Sequence, residues 1–269
     1  MRKRTPGTAA TSIDELHPAR LLDLRTASRL GGAVVLYDAV GSTNEVAMSA
    51  AANNVSEGLL VVAVEQTLGK GRKGRRWHSS LGKSLTFSLL LRPARREEGL
   101  TAIFALAVVG ALSRRVGGLG IRWPNDIMCR GRKLGGILAE SKGGAVVMGL
   151  GLNVNESRDD FPSEIAAEAI SMRMAAKRRF DRGEILCRIV GEFERLYDEY
   201  QREGFAPFRV PVERCLLYIG GTVVVESGGA TYTGRMIGIT NEGHLCVDIE
   251  GTERVFPSGE LTVRARSRA

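Results

Sequence analysis

Leu59-Leu60-Val61-Val62-Ala63-Val64 is an unbroken apolar run; Glu65-Gln66-Thr67 ends it, Gly69-Lys70-Gly71-Arg72-Lys73-Gly74-Arg75-Arg76 follows, and Leu85 to Leu91 is largely apolar again. Apolar runs of this length, bounded by polar and glycine-rich segments, predict two buried strands. A long basic loop therefore joins strand to strand with no helix between them. That departs from strict βαβ alternation and predicts an α+β chain built on a mixed sheet.

Working outward, Val34 to Tyr37 reads as an earlier strand, and Ser42-Thr43-Asn44-Glu45 matches a capping box opening a helix over Val46 to Ala52. Pro18 to Leu30 has apolar residues at helical spacing behind a proline start. Downstream, Ala102 to Leu112 predicts a buried core helix, and Trp123-Pro124-Asn125-Asp126 a turn. Lys133 to Ala139 and Ala145 to Asn153 read as paired strands; Ile165 to Lys177 and Glu184 to Glu203 read as helices. From Gly220 onward, short strands alternate with Ser-Gly-Gly, Asn-Glu-Gly, Glu-Gly and Pro-Ser-Gly turns, the texture of a small β-barrel. The expected organisation is a tail over 1–12, a main domain over 13–215 and a β module over 216–269.

The chain has 269 residues, 43% of them hydrophobic and 25% charged, which excludes a disordered or fibrous protein. The Ala102 to Leu112 stretch is far shorter than the ~20 residues of a membrane helix. The basic start, Met1-Arg2-Lys3-Arg4, has no apolar segment behind it. Four widely spaced cysteines allow no CxxC metal pair. Together these features predict a cytoplasmic protein without a membrane partner.

The net charge is +8, and the residues from Leu216 onward carry five arginines against six acids, so the excess lies earlier. Its densest point is the loop from Gly69 to Arg76, with five cations in eight positions and no acid. Such a loop suits phosphate: glycines allow close backbone approach, and guanidiniums grip oxygens in pairs. Gly69 to Gly74 formally fits GxGxxG, but a dinucleotide fingerprint needs a helix opening on the third glycine. Here the chain runs through Trp77-His78-Ser79-Ser80 into another strand. Gly82-Lys83-Ser84 ends like a Walker loop, yet Trp77 stands where that loop requires its first glycine.

Four segments together resemble the biotin protein ligase family: Gly41-Ser42-Thr43-Asn44, the Gln66 to Trp77 loop, Arg122-Trp123-Pro124-Asn125-Asp126 followed by Lys133 to Glu140, and Gly149 to Asn155. Lys70 replaces the loop's usual first arginine, and Arg122 the usual lysine before Trp-Pro-Asn-Asp. The resemblance implies an SH3-like C-terminal domain and ATP-dependent activation of biotin as biotinyl-5'-AMP. Transfer to a lysine of a biotin carboxyl carrier protein would follow. Only about forty residues precede Gly41, so a monofunctional ligase with no sequence-specific DNA partner is expected; a homodimer is left open.

By the same resemblance, Lys133 and Arg72 are the expected catalytic residues. Ser42, Thr43, Asn44 and Gln66 would meet the biotin ureido ring, with Lys70, Gly71, Arg72 and Lys133 completing the biotin site. Arg72, Arg75, Trp77, Asn125, Asp126 and Asn153 would hold ATP or the adenylate, and Asp126 would either assist Mg²⁺ or accept a proton. The three histidines, His17, His78 and His244, are assigned no role. Two rival classes are a lipoate or octanoate transferase of related fold, which should lack the basic loop, and a basic RNA-binding protein. The second lacks the aromatic pattern of an RNA-recognition surface.

Overall fold

The computed structural model describes residues 14–24, 29–94, 99–257 and 262–265; the expected tail lies outside them. A short turn leads into α1 (Pro18–Leu24). The helix expected as far as Leu30 does not continue there: Arg29 and Leu30 form a bend and turn whose N–H groups both donate to Glu194 Oε1, at 2.8 and 3.2 Å. The positions between Leu24 and Arg29 lie outside the described residues.

The main sheet is built from β1 (Ala33–Val40), β2 (Leu59–Gln66), β3 (Ser84–Leu91), β4 (Leu119–Arg122), β5 (Asp126–Cys129), β6 (Arg132–Lys142) and β7 (Ala145–Asn153). Its order is β1-β2-β3-β7-β6-β5-β4. Only β1 and β2 run parallel, because α2 (Thr43–Ala52) crosses between them. Every other neighbour is antiparallel, giving the mixed sheet expected.

The sheet's two faces carry different chemistry, set by the period of two along each strand. On β3, Leu85, Phe87, Leu89 and Leu91 join the large core, while Ser84, Thr86 and Ser88 point to the opposite face. On β7, Val146, Met148, Leu150 and Leu152 join the same core, leaving Gly149, Gly151 and Asn153 opposite. Helix α3 (Leu100–Leu112) closes the apolar face, with Phe104 edge-on to Phe87 at 6.2 Å and to Phe193 at 4.6 Å. The long apolar run is thus a buried helix, and among the described residues no helix is long and apolar enough to cross a membrane.

The helix expected over Ile165–Lys177 is two short ones, α4 (Ser163–Ala166) and α5 (Met172–Ala176). Between them the backbone extends to pair with the start of β6: Lys133 N–H donates to Glu168 O at 2.7 Å, and Ile170 N–H to Lys133 O at 3.0 Å. Helical spacing persists in the sequence, but a sheet edge offers the same backbone groups tertiary partners. Next, α6 (Arg182–Glu203) is capped by Asp181, whose side chain accepts from Glu184 N–H, and packs on α3. Then α7 (Arg209–Cys215) leads to Leu217, whose N–H donates to Ile121 O on the outer strand β4.

The C-terminal segment is a second, five-stranded antiparallel sheet formed by β8 (Thr222–Ser227), β9 (Ala230–Ile239), β10 (Leu245–Ile249), β11 (Thr252–Phe256) and β12 (Thr262–Ala265), in the order β11-β10-β9-β8-β12. Short strands therefore alternate with turns there, as the sequence texture predicts.

Candidate active site

The polar face of the main sheet opens into a cavity of about 700 Å³, within the range of small-molecule sites. All thirteen residues singled out from the sequence line it: Ser42, Thr43, Asn44, Gln66, Lys70, Gly71, Arg72, Arg75, Trp77, Asn125, Asp126, Lys133 and Asn153.

One end is neutral and closely hydrogen-bonded. Thr43 N–H donates to Gln66 Oε1 at 2.7 Å, and Thr43 Oγ1 donates to the same oxygen at 3.0 Å. Ser88 Oγ lies 2.7 Å from Thr43 Oγ1 and 2.6 Å from Asn44 Oδ1. Asn44 Nδ2 in turn donates to Glu140 Oε2 at 2.7 Å. Gly149 permits this arrangement, since a Cβ there would sit 2.1 Å from Asn44 Oδ1. Ser42, 3% exposed, is the N-cap of α2 by position.

The expected capping box is not formed. The Ser42 hydroxyl makes no capping bond, and Glu45, whose carboxylate would close the box, reaches across to Lys70 Nζ at 2.5 Å, while the Thr43 N–H is taken by Gln66. That bond to Glu45 raises the Lys70 pKa.

The other end is cationic. The basic segment turns back on itself, with Trp77 N–H donating to Gly69 O and Gly71 N–H to Arg75 O. Its tip, Lys73-Gly74, has positive φ at both residues. Arg72 Nη1 donates to Asn125 Oδ1 at 3.0 Å, tying the loop to the turn before β5, and Asn125 is itself fixed by reciprocal bonds with Ile137. Lys73 pairs with Glu226 on β8 at 4.0 Å, so the second sheet reaches the loop. Seven lysines and arginines against three acids line the cavity, leaving a positive interior.

Between the ends, Lys133 Nζ lies 2.6 Å from Asp126 Oδ1, and Arg122 grips Asp126 Oδ2 through Nε and Nη2 at 3.0 and 2.6 Å. Burial pushes the Asp126 carboxyl up, but the Lys133 ammonium and Arg122 guanidinium more than offset this and hold it below the usual carboxylate range. Lys133 Nζ also stands 5.9 Å from the Trp77 ring centroid. That ring lies flat against the sheet over Gly151, where a Cβ would be 2.3 Å from Trp77 Cε2. Trp77 Nε1 is buried without an acceptor among the described residues. Asn153 Nδ2 is turned away, donating to Lys133 O and Ile170 O at 3.4 and 3.2 Å. It buttresses the backbone that carries Lys133.

Two features of the site are absent from the motif residues. Ser88 links Thr43 to Asn44, and the Ser84, Thr86, Ser88 alternation on β3 is the signal that could have exposed it. His78, assigned no role, lines the cavity with Nε2 3.1 Å from Asp160 O and 3.3 Å from Ser80 Oγ; a lone histidine in a loop gives no sequence signal.

Comparison with known proteins shows the family to which the chain is similar. The chain matches the biotin/lipoate A/B protein ligase family over residues 37–155 and the biotin protein ligase C-terminal domain over residues 218–264. It is 36% identical to the bifunctional ligase/repressor BirA of Bacillus subtilis, over 84% of this chain and 73% of that protein. It is 31% identical to the biotin–[acetyl-CoA-carboxylase] ligase of Mycobacterium tuberculosis, over 82% and 85% respectively. Among solved structures, the biotin protein ligase from Aquifex aeolicus in complex with biotin and ATP superposes with a TM-score of 0.79 at 29% identity, covering 87% of this chain and 99% of that one.

Proposed function

This chain belongs to the biotin protein ligase family, and from that premise we propose that it condenses biotin with ATP to biotinyl-5'-AMP, then passes the biotinyl group to a lysine of a biotin carboxyl carrier protein. The observation that carries this reading is one cavity with a neutral hydrogen-bonding end and a cationic end, joined at Lys133. Biotin has the same polarity: a neutral ureido ring at one end and a carboxylate at the other.

In the first step the biotin carboxylate oxygen attacks the α-phosphorus of ATP and pyrophosphate leaves. Both reactants are anions, so their approach is opposed by Coulomb repulsion unless fixed cations lie between them. Lys133 stands where the two ends meet and is assigned to both the carboxylate and the phosphate. Arg72 and Arg75 are assigned to the phosphate oxygens, and Lys70 and Gly71 to the loop wall over biotin. Thr43, Asn44 and Gln66 offer the ureido ring amide and hydroxyl groups already fixed in direction, with Ser42 beside them. Trp77, beside Lys133, is assigned to the adenylate.

In the second step the amine of the carrier lysine displaces AMP from the mixed anhydride. Closing the basic loop over the adenylate keeps water out until then. The Lys73–Glu226 pair supports a role for the C-terminal sheet in covering the site.

Asp126 does not fit as a Mg²⁺ ligand, because both its oxygens already face cations that a divalent ion would have to displace. It fits as the anchor of Lys133, and no step is routed through a protein-bound metal. A lipoate transferase shares the family's fold, but the basic loop and the matched C-terminal domain favour biotin.

The test is to incubate the protein with ATP, biotin and a purified carrier domain, then weigh the carrier by mass spectrometry. One biotinyl group on the carrier lysine is expected. An unmodified carrier, or equal modification by lipoate, would contradict the proposal.

A further inference from the structure

Arg122, Asp126 and Lys133 come from three adjacent strands. Arg122 pairs across β4–β5 with Asp126, and Lys133 pairs across β5–β6 with Met128. The Asp126 carboxylate carries a cation on each oxygen: the Arg122 fork on Oδ2 and the Lys133 ammonium on Oδ1. Asp126 is 15% exposed and all three line the cavity, so water screens the cluster only in part.

Charge counting separates the two cations' roles. A lysine paired with an aspartate alone is a neutral unit, and an entering carboxylate gains little net attraction from it. With Arg122 on the same aspartate the cluster carries one net positive charge. The two-pronged grip on Oδ2 also fixes the carboxylate plane, and with it the direction in which Oδ1 holds the ammonium.

We propose that Arg122 is a positioning residue for biotin activation: through Asp126 it aims the Lys133 ammonium and leaves it a net positive charge to offer the acid. This rests on the biotin-activating function proposed above and assigns a role to a residue outside the expected site.

The test measures biotin-dependent exchange of labelled pyrophosphate into ATP, together with the melting temperature, for the wild type, R122M, R122K, D126N and R122M/D126N. For R122M, which keeps the arm but loses the charge, KM for biotin should rise roughly tenfold, with a smaller fall in kcat. R122K restores the charge and should bring KM to within about threefold of the wild type. The double variant removes the aspartate that would otherwise neutralise Lys133, so its KM should fall back below that of R122M.

Equal KM in R122M and the wild type would overturn the proposal, and so would a double variant no better than R122M. Should R122M fail to fold, D126N decides: the proposal expects a reduced kcat with no rise in KM for biotin, and a rise in KM would overturn it. Absence of exchange in the wild type would instead contradict the biotin-activating function itself.

Discussion

The two ends of the cavity are built on different principles. At the neutral end, Thr43, Asn44, Gln66 and Ser88 bond one another on two strands and a helix start, and Thr43, Asn44 and Ser88 are all buried. At the cationic end, Arg72, Lys73 and Arg75 sit on a turn held by short backbone bonds and a few side-chain ties. Seven lysines and arginines against three acids line the cavity, so this end keeps a positive excess that an anion would offset. The neutral end is fixed by its own hydrogen bonds; under the proposed function, the phosphates would complete the cationic end.

The sharpest way to break that contrast is at the joint between the ends. Lys133→Ala removes a cation aimed at developing charge, so adenylation should fall about 10²–10³-fold while the melting temperature stays nearly unchanged. Lys133→Arg should recover part of the loss. Near-normal pyrophosphate exchange by the alanine variant would remove Lys133 from the reaction.

A smaller effect is expected at the loop. Arg72→Gly removes the tie to Asn125 and adds backbone freedom, so the loop should close less well over the adenylate. The variant should still make adenylate but lose it to solvent, labelling lysines of an unrelated protein roughly tenfold more than the wild type. Bystander labelling no greater than wild type, with adenylate formation confirmed, would mean that the intermediate is retained by other groups.

At the neutral end, Gly149→Ala drives a methyl into Asn44 and should weaken biotin binding several-fold, costing about 1–3 kcal/mol of stability. KM for ATP should not change. Calorimetric titration with each substrate separates the two, and an equal loss for ATP would mean that the ends are not independent.

The smallest effect concerns Glu156, which accepts a bond from Ser84 Oγ at the start of β3 while its Oε2 is buried without a partner. Burial raises its pKa above the ordinary value of 4.5. A raised acid supports folding fully below its unfolded pKa and loses that support as pH rises through the folded value. Glu156→Gln should therefore gain a few degrees in melting temperature over the wild type toward alkaline pH, and less in acid. The same difference at every pH would contradict a neutral Glu156. Asp160 behaves oppositely: the bond from Lys83 holds its pKa at about 2, so its contribution is present above about pH 3.8 and fades as pH falls through about 2.

The strands, the buried helix and the basic loop were legible because burial leaves a periodic record: β3 alternates hydroxyl and apolar residues, and α3 is apolar throughout. The thirteen expected residues that line the cavity were legible through the four segments that resemble the family, since three of those segments place several of them close together in sequence. What escaped depended on partners distant in sequence. Glu168 to Ile170 abandon helix for the edge of β6, and Glu45 leaves its cap for Lys70. Asp126 gathers Arg122 and Lys133 from flanking strands. None of these exchanges changes the local pattern from which helix or cap is read.

The most direct measurement is pyrophosphate–ATP exchange on the purified wild-type protein with biotin, with lipoate and with neither. The cavity described here predicts exchange that depends on biotin and is absent with lipoate. Exchange of equal rate with both acids, or none with biotin, would contradict it.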